Sequence, residues 1–235
     1  MKNELFIVGS LLVGSALIIG GIVWYLDYQT PKTWADIAKN QPAATPLTVK
    51  ENNIMQPGIT NEANPIAVLD TNQGVIKIEL FKDTMPITAG NFEKLIKEGF
   101  YDGIKFHRVI DGFMIQGGDP NSKTDNKDTY GTGGPGYTIK DEFVAGPYLT
   151  NVRGTISMAN AGPESGGSQF FINLEDNEAL DYDKLPQTSK HPVFGRVIEG
   201  MDVVDKIGRV ATDARDLPLD PVVITKAAVI EGEGE

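Results

Sequence analysis

The stretch from Gly74 to Leu80 alternates: Ile76, Ile78 and Leu80 are apolar, and Lys77 and Glu79 between them are charged. A period of two predicts a strand with one buried face. Short apolar runs follow at "IKFHRVI", "FMIQG", "GTISMA", "SQFFINL", "VFGRVI" and "VVITKAAVI", mostly separated by Gly, Asn, Asp or Pro. These read as further strands. Two stretches shift to a helical period. In "MPITAGNFEKLIKEGF", Pro86 suits a first helical position, Ile87, Phe92, Leu95 and Ile96 form the apolar face, and Gly99 is a stop. In "GMDVVDKIG", Val203, Val204 and Ile207 form the inner face. Many short strands at close spacing predict a barrel or sandwich, with two helices free to plug a barrel's ends.

This pattern fills only part of the chain. Leu5 to Leu26 is 22 residues without a charge. At about 1.5 Å per residue it can cross a hydrocarbon core of roughly 30 Å. Trp24 and Tyr25 close it, where aromatic rings favour the interface. No A-x-A cleavage site follows, so the segment reads as a retained transmembrane helix rather than a removed signal peptide. A short N-terminal tail before a long polar part predicts a signal anchor over residues 1–26 with the remainder outside the cytoplasm. Residues 27–64 are rich in Pro, Asn, Thr and Ala without apolar periodicity, and read as a flexible linker. Residues 65–231 form the domain, and 232–235 an acidic tail.

Net charge is -11, and the domain with its tail carries 17 basic and 27 acidic residues. That balance argues against nucleic acid as a partner, since phosphate binding needs a basic face. The absence of cysteine excludes disulfides, zinc thiolates and thiol catalysis.

Most familiar chemistry is missing. His107 and His191 lack ligand spacing, so no metal is expected. "DPNSKTDNKDTY" fails as a calcium loop, because Lys123, Thr124 and Tyr130 stand where a ligand, a Gly and a Glu are needed. It reads as a polar surface loop. "GTGGPG" lacks the G-K-[ST] ending of a phosphate loop. "GPESGGSQ" is not a nucleophile elbow.

One charge stands out: Arg108 in "FHRVIDGFMIQGG". The "IDGF" turn predicts a hairpin. A two-residue loop sets Arg108 opposite Ile115. A three-residue loop, Asp111-Gly112-Phe113, sets it opposite Gln116, whose carbonyl can accept from it. Polar satisfaction favours the second register. The simpler reading is an arginine reaching a surface carboxylate.

"FHRVIDGFMIQGGDP", "GTISMANAGPESGGSQFFINL" and "KHPVFGRVIEGMDVVDKI" resemble three successive signatures of the cyclophilin-type peptidyl-prolyl isomerases. "TAGNFEKLIKEGFYDGIKFHRV" matches the helix-to-strand run before the arginine, and the resemblance spans about Ile66 to Ile230. It implies a closed eight-stranded antiparallel β-barrel capped by two α-helices. It implies an isomerase acting on proline-containing polypeptides without a cofactor. By motif position, Arg108 matches the catalytic arginine. Phe113, Met114 and Phe171 match the pocket for the proline ring, with Leu180 and His191 beside it. Gln116 and Asn160 match groups holding the substrate backbone, flanked by Ala159, Ala161 and Gln169, and Gly131 matches a loop bordering the groove. Ala179 stands where many members carry Trp, which implies weak cyclosporin binding. The segment "LDYDKLPQTSKH" is longer than usual, so Leu185 is an alternative to Leu180.

Overall fold

The computed structural model describes residues 61–144, 149–184 and 190–232. Eight antiparallel strands form one sheet in the order β3-β4-β6-β5-β7-β2-β1-β8. They are β1 (Ile66–Thr71), β2 (Gly74–Leu80), β3 (Arg108–Ile110), β4 (Met114–Gly117), β5 (Thr155–Met158), β6 (Phe170–Asn173), β7 (Val193–Glu199) and β8 (Ile224–Ile230). Helix α1 (Pro86–Lys97) packs against β7 and β8, and α2 (Met201–Gly208) against β2, β3 and β4. Among the described residues no helix is long and apolar enough to cross a membrane. The segments expected as anchor and most of the linker lie outside the described residues.

The predicted strands are present, several shorter than their apolar runs. "IKFHRVI" yields only β3, because the residues before it pair elsewhere. Lys105 bridges Val223 in antiparallel fashion. Gly103 N donates to Ile224 O at 2.8 Å and Phe106 N to Val222 O at 2.9 Å. The segment entering β3 is thus bonded to the segment entering β8, at the two edges of the sheet.

Ile76, Ile78 and Leu80 are buried as the alternation predicts. Glu79, expected on an open face, is buried too. Its carboxylate meets Arg196 Nε at 3.0 Å, and Asn61 N and Asn64 Nδ2 each donate to Glu79 Oε1 at 3.3 Å. The end of the expected linker is therefore stitched onto β2. Asn64 itself is buried, and Gly232 lies against Glu62 and Ala63.

Helix α1 begins with Pro86, as its fixed φ favours. Phe92, Leu95 and Ile96 face the core, but Ile87, expected on the same face, is 44% exposed. At about 3.6 residues per turn it stands roughly 130° round the helix from the centre of that face. The free N–H groups of this first turn meet a carboxylate. Glu142 accepts from Ile87 N at 3.1 Å and Thr88 N at 2.8 Å. A negative charge there also complements the helix dipole. Gly99, at φ +70°, ends the run as predicted. In α2, Val204 and Ile207 are fully buried, while Val203 is only partly so, packed over Gly74.

Candidate active site

Alternation along three adjacent strands separates a core face from an outer face. Val109, Ile115, Phe170 and Ile172 belong to the core cluster. Their neighbours Arg108 and Ile110 on β3, Met114 and Gln116 on β4, and Phe171 on β6 therefore share the opposite face. Met114 and Phe171 are nevertheless buried, outside the core cluster. Large apolar side chains hidden on the non-core face of a sheet form the wall of something other than the core.

The hairpin takes the three-residue loop. Arg108 pairs with Gln116, Val109 with Ile115 and Ile110 with Met114. Gly112 adopts φ +66°, and Phe113 N returns to Ile110 O at 3.1 Å. Gln116 in turn stands opposite Phe171 on β6.

The register is as expected, but the side-chain bonding differs. Gln116 Nε2 donates to Gln169 Oε1 at 3.1 Å. Arg108 Nε instead faces Asp216 Oδ2 at 3.6 Å, with both side chains nearly half exposed. This is the surface-carboxylate partner of the simpler reading. Asp216 lies far along the chain in "ARDLPLD", where no local pattern marks it.

Gln169 ties the groove to the glycine-rich loop. Its Nε2 donates to Gly131 O and Gly133 O, each at 2.9 Å, and its backbone O accepts from Ala159 N at 3.0 Å. Gly131, at φ +83°, donates its N–H to the Asp119 carboxylate. Asp119 is fully buried, although "DPNSKTDNKDTY" reads as a surface loop. The carboxylate also accepts from Asn121 N at 2.8 Å, so it folds this loop from within.

His191 meets Phe171 edge-on, with ring centroids 5.4 Å apart. Its Nδ1 lies 3.1 Å from Met158 O and 3.4 Å from Asn160 Nδ2. Asn160 Nδ2 also donates to Lys190 O at 2.8 Å. Burial lowers the His191 pKa, although its bond to Met158 opposes the shift. Leu180 O accepts from His191 N at 3.1 Å, which brings Leu180 to the same wall. Ala161 is exposed, with its N–H bonded to Ser165 Oγ at 2.8 Å. Leu185 lies outside the described residues. Phe113 is partly buried at the hairpin bend. Ala179 is exposed beside Leu180.

The arrangement is a half-exposed guanidinium on the same sheet face as the apolar Met114 and Phe171, flanked by amide donors and acceptors. Among the described residues no group of three or more His, Cys, Asp or Glu is placed to hold a metal. Such a site is suited to binding and polarising a peptide.

Residues 66–229 match the model of the cyclophilin type peptidyl-prolyl cis-trans isomerase/CLD family. A peptidyl-prolyl cis-trans isomerase-like 1 of Rhizopus delemar is 48% identical over 153 residues, covering 63% of this chain and 83% of that protein. A peptidyl-prolyl cis-trans isomerase of Acinetobacter baylyi is 43% identical over 172 residues, covering 71% and 86%. A Cryptosporidium parvum cyclophilin-type isomerase, solved in the presence of the dipeptide Ala-Pro, is 32% identical at a TM-score of 0.59, covering 71% of this chain and 99% of that one. The chain belongs to the cyclophilin-type peptidyl-prolyl cis-trans isomerase family.

Proposed function

We propose that this protein accelerates rotation about X-Pro bonds in polypeptides, and so assists their folding, with Arg108 as the catalytic residue. The observation that carries this reading is the common outer face of Arg108, Met114, Gln116 and Phe171. An X-Pro bond turns slowly because its C–N bond has partial double-bond character, with a barrier of roughly 18–20 kcal/mol. No covalent bond needs to break. Twisting the amide localises the lone pair on the prolyl nitrogen. A guanidinium N–H donates to that nitrogen better in the twisted form than in the planar one, which is differential binding of the transition state.

Phe113, Met114, Phe171, Leu180 and His191 hold the proline ring while the other side of the peptide rotates. Gln116, Ala159, Asn160, Ala161, Gln169 and Gly131 hold the substrate backbone. An acceleration of about 10⁵ needs roughly 7 kcal/mol of transition-state stabilisation. Cis-to-trans relaxation of a short X-Pro peptide tests the reading, with Arg108→Ala alongside. Strong acceleration that collapses in the variant is expected. No acceleration by the folded wild type would leave a proline-segment binding module.

The bonds between the segments entering β3 and β8 support a closed barrel. The uncharged stretch Leu5–Leu26 supports a single-pass membrane anchor, with the isomerase domain outside the cytoplasm serving exported proteins. A reporter active only outside the cytoplasm, fused after Glu235, tests that orientation. Ala179 supports weak cyclosporin binding, and Ala179→Trp should tighten it in a direct titration.

A further inference from the structure

The outer face of the sheet is not apolar throughout. Beside Met114 and Phe171 it carries Asn173 on β6, paired with Met114, and Ser157 on β5, paired with Phe171. Both are fully buried, as is Asn151. Buried amides and hydroxyls persist only where they are hydrogen-bonded. Here they form one continuous chain of bonds.

Asn151 is its hub. Asn151 Oδ1 accepts from Ser157 Oγ at 2.7 Å and from Asn173 Nδ2 at 3.3 Å. Asn151 N and Nδ2 each donate to Asp181 Oδ1 at 2.8 Å, and Nδ2 also to His191 O at 3.1 Å. Thr150 Oγ1 donates to the other oxygen of Asp181. In the opposite direction, Asn173 Oδ1 accepts from Asn177 Nδ2 at 2.9 Å. Asn177 Nδ2 donates as well to Phe113 O at 2.9 Å, and Asn177 N to Asn151 O at 2.6 Å.

The two ends of this chain are informative. One end holds the carbonyl of Phe113. The other holds the carbonyl of His191 and the side chain of Asp181, the residue after Leu180. Phe113 at one end, and Leu180 and His191 at the other, are residues read above as holding the proline ring. Apolar contacts are non-directional, so they fill a recess without fixing its width. Hydrogen bonds have preferred lengths and angles, so a bonded chain between two walls does fix it.

We propose that the Asn151–Asn173–Asn177 chain is the frame of the proline pocket, and that Asn177 is a positioning residue that selects ring size. The inference rests on the reading of that pocket as the seat of the proline ring. Asn177 is the informative member because it is only partly buried and joins the hairpin wall to the rest. Its loss leaves the Phe113 carbonyl with only Leu174 N, at 2.9 Å, and cuts the side-chain link from the hairpin to Asn173 without opening the core.

The test uses the full chain and three peptides whose X-imide bond carries azetidine-2-carboxylate, proline or pipecolate, with rings of increasing size. The readouts are kcat and KM for each, with the melting temperature. Asn177→Ala should lower the ratio of kcat/KM for proline over pipecolate roughly fivefold, the scale of one buried hydrogen bond. KM for proline should rise more than kcat falls. Asp181→Ala, which removes the acceptor of Asn151 N and Nδ2, should shift the ratio in the same direction. Equal losses for all three rings, or no loss, would overturn the proposal.

Phe171→Leu separates this inference from the reading beneath it. If Phe171→Leu changes ring preference and neither frame variant does, the frame fails alone. If Phe171→Leu leaves the preference untouched, the pocket reading fails and the frame with it.

Discussion

Arg108 Nε and Asp216 Oδ2 face one another at 3.6 Å, and Asp216 O accepts from Val109 N at 2.8 Å. The same residue thus holds the backbone beside Arg108 and offers a carboxylate to its side chain. Asp216 adopts φ +63°, a region that Asn and Gly also tolerate. Asp213 O accepts from Asp216 N at 3.1 Å and fixes the turn. Asp216→Asn therefore removes the charge and keeps the loop. Turnover should fall up to about fivefold, the range of an exposed ion pair. The loss should vanish in an Arg108→Ala background, and a peptide relaxation assay on the double variant checks this.

Glu93 is a carboxylate buried in α1 between two lysines. Its oxygens lie 2.7 Å from Lys82 Nζ and 2.6 Å from Lys97 Nζ. Burial alone would raise its pKa, but hydrogen bonds and charge from Lys82 and Lys97 outweigh burial and hold it below the usual glutamate value. Lys97 is correspondingly pushed up to about 12, chiefly by its bond to Glu231 and then by Glu93. A depressed carboxylate pKa stabilises the fold above the unfolded value, and that stability is lost as pH falls through the folded one. Glu93→Gln should cost on the order of 1–2 kcal/mol at neutral pH. The gap between variant and wild type should close on acidification, as read by thermal melts across pH.

Both histidines should be neutral at neutral pH. Burial lowers the pKa of each below 6.5. Around His107, Asp119 and the Lys105 backbone favour the proton and Arg108 opposes it, but burial outweighs them. The unfolded chain takes up these protons first, so acidification below about the ordinary histidine value should destabilise the fold. Imidazole resonances followed by NMR should titrate below 6.5. Titration above it would contradict the burial argument.

The domain should need Asn61 to Asn64. Asn64 Oδ1 accepts from Asp83 N at 3.4 Å, in addition to the bonds of Asn61 and Asn64 to Glu79. A chain beginning at Pro65 leaves the Glu79 carboxylate without these donors and Asp83 N without its acceptor. It should melt a few degrees below one beginning at Asn61, given about 1 kcal/mol per buried bond.

Elements whose cause is local were legible in the sequence. The Asp111-Gly112-Phe113 loop gave the correct hairpin register, although the bond expected between Arg108 and Gln116 is not made: Gln116 bonds Gln169, and Arg108 faces Asp216. Pro86 and Gly99 bracketed α1 correctly. Ile87, expected on the buried face of α1, stands roughly 130° from the centre of Phe92, Leu95 and Ile96 at about 3.6 residues per turn, so the helical period itself turns it out. Features that depend on distant partners were not legible. Glu79 has the right alternation for solvent, but Arg196 and Asn64 cover it. Asp216 reaches Arg108 only through the folded edge of the sheet. No local pattern marks the buried asparagines as bonded to one another, since a single polar residue in an apolar run looks the same whether it faces water or a partner.

The meeting of Gly232 with Glu62 and Ala63 has a topological consequence. The first and last strands are neighbours in the ladder, and the described ends emerge side by side. In connectivity the domain is nearly a ring, open at one narrow gap. A short bridge across that gap would allow the ring to be cut elsewhere, for instance at an exposed turn, with the strand order undisturbed. Such rearranged chains would show which connections the groove depends on and which serve only to join one strand to the next.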